Sequence, residues 1–186
     1  MAVMPALRLG WLNGWLLLLV EWLLQGFLLL VFPKAVVVRL FDRSGWSPKQ
    51  KAFTVIGKLF SLACLVLIVL TPLKPRSGVF VVGLVVYAVG VAGLVMAMLN
   101  FRDTLPDQPV TKGLYRVSRH PQAVAIAVFI GGICLAVGSW AALLMLVLSK
   151  VFQHFGILAE EEVCLSRYGE SYRAYMVDVP RYFLFF

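Results

Sequence analysis

Charge is what this chain has least of. Only 14% of its 186 residues are Asp, Glu, Lys or Arg, and the acids are scarcer than the bases, 9 against 17. Histidine occurs twice and cysteine three times. Cys64, Cys134 and Cys164 are widely spaced, two of them inside apolar stretches, so neither a disulfide framework nor a zinc site is supported. They read as small apolar residues. Internal repeats and low-complexity linkers are also missing, which leaves no sign of an array or of tethered modules.

Apolar residues fill the place of the missing charge. They make up 61% of the sequence and give a mean hydropathy of +0.91, an apolar surface that a soluble protein could not keep apart from its neighbours. The chain is therefore read as an integral membrane protein, all-α, a polytopic bundle forming a single domain over 1–186. Within it, 1–78 carries the first two helices and 79–186 a separate core. No room remains for a soluble catalytic domain, so any chemistry must use loops and helix ends.

Four apolar stretches separate by length: 11–32, 53–73, 79–101 and a long one over 123–158. Each of the first three matches one bilayer crossing, about 20 helical residues across about 30 Å. The fourth is too long for one crossing and carries Gly138-Ser139 near its middle, which predicts a hairpin of helices over 123–137 and 140–158. A re-entrant pair fits the same pattern. The first stretch is too long for the apolar core of a removable signal peptide and is expected to remain as a helix.

Lys34, Arg39, Arg43, Lys49 and Lys51 fall in one loop, Arg102, Lys112, Arg116 and Arg119 in another, and Arg167, Arg173 and Arg181 in the tail. Arg8, Lys74 and Arg76 are left for the other face. This asymmetry predicts five spans with the N-terminus outside and the C-terminus cytoplasmic. The net charge of +8 then reports topology and attraction to anionic headgroups rather than nucleic acid binding.

The most informative polar segment is DTLPDQPVTKGLYRVSRHPQAVA, over 103–125, followed by Glu160-Glu161-Glu162. Ionisable groups beside membrane stretches are costly unless they bind something. Pro121 suits the first position of a helix, which puts Arg119 and His120 at a helix N-terminus, where free N–H groups favour an anion. His154, Leu158 and Glu161 share one helix face by spacing. A basic wall facing an acidic one would hold a cofactor of mixed charge.

These residues carry a resemblance. The string DTLPDQPVTKGLYRVSRHP, the glutamate run, and the tail of Tyr168-Gly169, Tyr172, Tyr175 and Val179-Pro180-Arg181 resemble the isoprenylcysteine carboxyl methyltransferase and phospholipid methyltransferase superfamily over roughly 80–183. The resemblance implies an integral membrane enzyme that uses S-adenosylmethionine. It implies catalytic roles for Arg119, His120 and Glu161, and cofactor contacts at Arg119, His120, Pro121, Glu160 and Glu161; Tyr115, within the same string, and Gly90, a small residue that would let the adenosyl group approach, are further candidate cofactor contacts. Alignment back from Tyr168-Gly169 favours Glu160 with Glu161, and alignment from Leu165 favours Glu161 with Glu162. Gly90 and Gly93 have an alternative use in close helix packing. Where the family pattern has Tyr and Gly after the proline, this chain has Ala123 and Ala125.

The cofactor's sulfonium and ammonium call for carboxylates and its carboxylate for N–H donors, which these residues can supply. A lipophilic acceptor is expected to enter from the bilayer, at an inner or endoplasmic reticulum membrane, with the site facing the cytoplasm. A carboxylate acceptor needs no base; a hydroxyl or amine would use His120 or His154. Alanine at 119 or 161 is expected to abolish cofactor binding in protein that stays folded. Two alternatives stay open, an NADPH-dependent sterol-reductase-like enzyme and a non-enzymatic scaffold. Glu21 and Gln25, one turn apart in the first stretch, are expected to face protein or a water-filled cavity.

Overall fold

The computed structural model describes residues 1–3, 5–105 and 107–183. It is all-helical, with no strand among the described residues. Its helices are α1 (Trp15–Val31), α2 (Lys34–Phe41), α3 (Pro48–Leu70), α4 (Gly78–Arg102), α5 (Pro121–Val137), α6 (Trp140–Tyr168) and α7 (Glu170–Asp178), with a 3-10 turn at Gly113–Arg116.

Local chemistry sets the helix starts. Ser47 caps α3 in a reciprocal box with Gln50, ahead of Pro48 at the first position. Ser77 and Ser139 accept backbone N–H groups at the starts of α4 and α6. The expected hairpin forms where α5 stops at Gly138, whose φ of 67° is a left-handed conformation that glycine adopts without penalty.

Three expected boundaries move. The helix read from residue 11 starts at Trp15, because the segment before it folds back: the buried Asn13 donates to the carbonyls of Arg8 and Val69. The second begins at Pro48 rather than 53, since its first turn is polar and capped. The last apolar helix runs on to Tyr168 rather than 158, so the three glutamates belong to α6 itself. The apolar ending of the sequence, 182–186, reads as a segment that returns to the membrane surface or packs on the bundle; Leu184, Phe185 and Phe186 lie outside the described residues.

Helices α3, α4 and α6 are long and apolar enough to cross a membrane, while α1 and α5 are apolar but 17 residues each. Seventeen residues rise about 26 Å, the short limit for a crossing. One end of the bundle gathers the N-terminal segment, the α3–α4 connection and the α5–α6 turn: Gly14 donates to the carbonyl of Thr71, Lys74 to that of Ala136, and Ala2 to that of Gly138. The opposite end gathers α2, the 103–120 loop, the second half of α6 and α7. There Arg39 donates to the carbonyl of Leu105 at 3.0 Å and to the Tyr168 hydroxyl at 3.1 Å, and Arg167 pairs with Asp42 at 3.1 Å.

Two seams hold the bundle. Between α4 and α5, a Cβ on Gly90 would meet the Phe129 backbone at 2.3 Å, and one on Gly132 would meet the Tyr87 backbone at 2.4 Å. Backbones in such contact gain dispersion along their length, which is how helices associate where lipid removes the hydrophobic drive. The seam between α3 and α6 is polar inside: Ser61 and Ser149 share a hydrogen bond of 2.6 Å, and Gln153 donates to both. Phe53 stacks on Phe155 beside it.

Candidate active site

Pro121 opens α5, and the backbone N–H of Arg119 just before it is held by the carbonyl of Pro180 at 2.9 Å. This bond lays the C-terminal segment across the start of α5. The Ser118 hydroxyl strengthens the tie, donating to the carbonyl of Arg181 at 2.9 Å while accepting from His120 N–H at 3.2 Å. Three distant parts of the sequence thus converge on one face of α6.

Glu161 is the hub where they meet. Its side chain is 4% exposed. Arg181 grips both oxygens, with Nε at 3.1 Å from each and Nη2 at 2.7 Å from Oε2. His120 Nε2 lies 3.2 Å from Oε1, and Arg119 Nε lies 3.1 Å from the same oxygen. The Arg119 contact is an ion pair without a hydrogen bond, because the N–H is not aimed at the oxygen, and this buried Nε has no hydrogen-bond partner. The guanidinium is otherwise anchored through Nη1 to the carbonyl of Met176 at 3.2 Å.

The other two glutamates stand differently. Glu160 is half exposed, and its one ion-pair contact among the described residues is His120 Nδ1 at 3.6 Å, beyond hydrogen-bonding reach. Glu162 accepts from Gln50 Nε2 at 2.8 Å and lines an open hollow of about 430 Å³ with Ser44, Gly45, Val163, Ser166 and Arg167. The imidazole of His120 therefore bridges Glu160 and Glu161.

The structure brings Arg119, His120, Glu160 and Glu161 together, with Pro121 at the head of α5, as their sequence positions predict. The basic and acidic walls touch, however, so no crevice separates Arg119 from Glu161. Because each partner neutralises the other in a buried setting, alanine at either position costs stability as well as any binding role. Tyr115 is buried in the 3-10 turn and bonded elsewhere: its hydroxyl accepts from Gln122 at 3.1 Å, and its carbonyl accepts from Tyr175 at 2.6 Å. Burial raises its phenol far above the usual range. Gly90 faces the Phe129 backbone, the packing use weighed for it from sequence.

Two residues of the cluster were not legible as such. Arg181 counts in sequence as one basic residue of the tail, and only the Val-Pro-Arg ending marks it. Tyr182 accompanies it, sharing a 2.8 Å hydrogen bond with His154 Nδ1, with its ring centre 6.5 Å from that of His120 and 5.8 Å from that of His154. Burial pushes its phenol up to about 12, so it stays neutral and keeps its proton for His154 or a ligand. The Arg181 guanidinium is stabilised further in its charged form by Glu161.

A profile described as phospholipid methyltransferase matches residues 76–171. The chain belongs to that family. The match takes in α4, α5 and α6, and so includes Arg119, His120, Pro121 and all three glutamates, while Arg181 and Tyr182 lie beyond it. No curated protein and no solved structure matches the chain. Family membership and the long apolar helices make this a membrane methyltransferase in its general class.

Proposed function

We propose that the protein is an S-adenosylmethionine-dependent methyltransferase acting on a lipophilic acceptor, spanning the membrane five times with the polar cluster at the cytoplasmic face. The observation that carries the reading is the pairing of a half-exposed carboxylate, Glu160, with an uncapped helix N-terminus in a chain of this family. When bound, S-adenosylmethionine supplies an activated methyl group. Its carboxylate suits the free N–H groups of the first turn of α5, where His120 provides no side-chain cap. Its positive groups suit Glu160.

Glu161 takes a different part. Already neutralised by Arg119, Arg181 and His120, it fixes these donors in place, so that they need no reorganisation when a ligand arrives. Glu162, turned to Gln50, serves the surface. The acceptor's apolar portion reaches the site from the bilayer, as befits a cluster at the end of lipid-facing helices. In-line placement of acceptor and methyl group then provides much of the acceleration.

Titration of the purified protein with S-adenosylmethionine, S-adenosylhomocysteine and NADPH tests the reading. Binding of the two sulfur compounds without NADPH is expected. Binding of NADPH alone would turn the assignment to a reductase, and binding of none would leave a scaffold.

A further inference from the structure

Glu21 lies near the middle of α1 with 2% of its surface exposed, and its carboxyl makes no hydrogen bond or ion pair with any described residue. The neighbouring phenol, Tyr87, gives its hydrogen to the carbonyl of Leu17 at 2.8 Å. Glu21 instead lines a recess between α1 and α4 with Gln25 one turn on, bordered by Leu28, Val91, Leu94 and Met98. Gln25, Leu28 and Val91 are partly exposed, so the recess reaches the outer surface of the bundle. A carboxyl without a partner in an apolar setting is costly, and packing alone would be served better by leucine.

We infer that this recess is an intramembrane site for the amino head of a lipophilic amine. The free volume is about 10 Å³, room for one water-sized group, which an ammonium matches and a carboxylate or phosphate head exceeds. Glu21 is its counter-ion, and the Gln25 amide oxygen accepts a second N–H. Leu, Val and Met side chains border the alkyl chain. Neutral amine with carboxylic acid holds the same number of protons as ammonium with carboxylate, so the ligand leaves the bilayer uncharged and ionises on arrival without an external base. The site uses α1, outside the matched residues 76–171, and does not depend on the methyl-transfer reading.

The test uses the full chain in phosphatidylcholine nanodiscs with a diazirine-bearing dodecylamine and the dodecanol of the same design. The amine is expected to label α1 and α4 peptides, to be displaced by plain dodecylamine, and to label Glu21→Gln at least tenfold less. The alcohol should not distinguish the two proteins. Val91→Phe fills the recess without touching the carboxyl and should lose labelling equally, which keeps the test alive if Glu21→Gln fails to fold. Binding of S-adenosylhomocysteine by the same samples reports separately on the polar cluster. Equal labelling of wild type and variants, or equal labelling by amine and alcohol, would overturn the inference.

Discussion

At the scale of single residues, the three consecutive glutamates divide into three environments: one half exposed, one buried among cations, one bonded to a glutamine. Different consequences of substitution follow. Glu161→Ala leaves Arg119 charged and buried with its partner gone, and should cost about 3–5 kcal/mol, read as a lowered thermal midpoint in detergent. Glu160→Gln should leave that midpoint nearly unchanged while weakening S-adenosylhomocysteine binding at least tenfold in a direct titration. Asp42 offers a pH test. Hydrogen bonds from Ser44 and Arg167 lower its carboxyl to about 2, so the native state favours the ionised form. Its contribution is complete above the unfolded value of about 3.9 and fades as pH falls towards 2. Thermal midpoints of wild type and Asp42→Asn should differ slightly at pH 7 and converge near pH 2.

Among the helices, the apolar runs were legible and interior faces were not. Apolar runs placed four of the five long helices to within a few residues at their starts, and Gly138-Ser139 gave the hairpin. Hydropathy marks α6 only as far as Leu158, the shared face of His154 and Glu161 carries it to the glutamates, and its last turns to Tyr168 continue through polar residues that are satisfied by other segments. Arg119, His120 and the glutamates could be singled out, since charge beside apolar stretches is rare. Their partner Arg181 could not, because a basic residue in a tail has many uses and the fold alone gives it one. Gly90 shows the same limit, since a glycine in a membrane helix reveals closeness without naming the neighbour. Its Cβ-deep contact with Phe129 predicts that Gly90→Ala lowers the thermal midpoint, an overpacking cost of about 1–3 kcal/mol. Gly93→Ala, whose added carbon would meet Ala125 at an ordinary 3.5 Å, should behave as wild type.

For the molecule as a whole, the two ends are chemically distinct, and the alternation of the five long helices between them is a claim about the membrane. Single cysteines introduced at Ser44 and Ser171 should react with an impermeant maleimide from one side only, and cysteines at Ala2 and Ser77 from the other, in a background with Cys164→Ser. In the proposed reading, the end bearing Arg39, Arg119, Arg181 and the glutamates is the one a water-soluble cofactor reaches, and the apolar flanks of α3, α4 and α6 are the ones a lipid reaches. The measurement that tests this arrangement most directly is transfer of a tritiated methyl group from S-adenosylmethionine into the organic extract of reconstituted vesicles. Wild-type protein should place label in that extract and Glu160→Gln should reduce it at least tenfold; label that never leaves the aqueous phase with wild type, or that is indifferent to Glu160, would contradict the account.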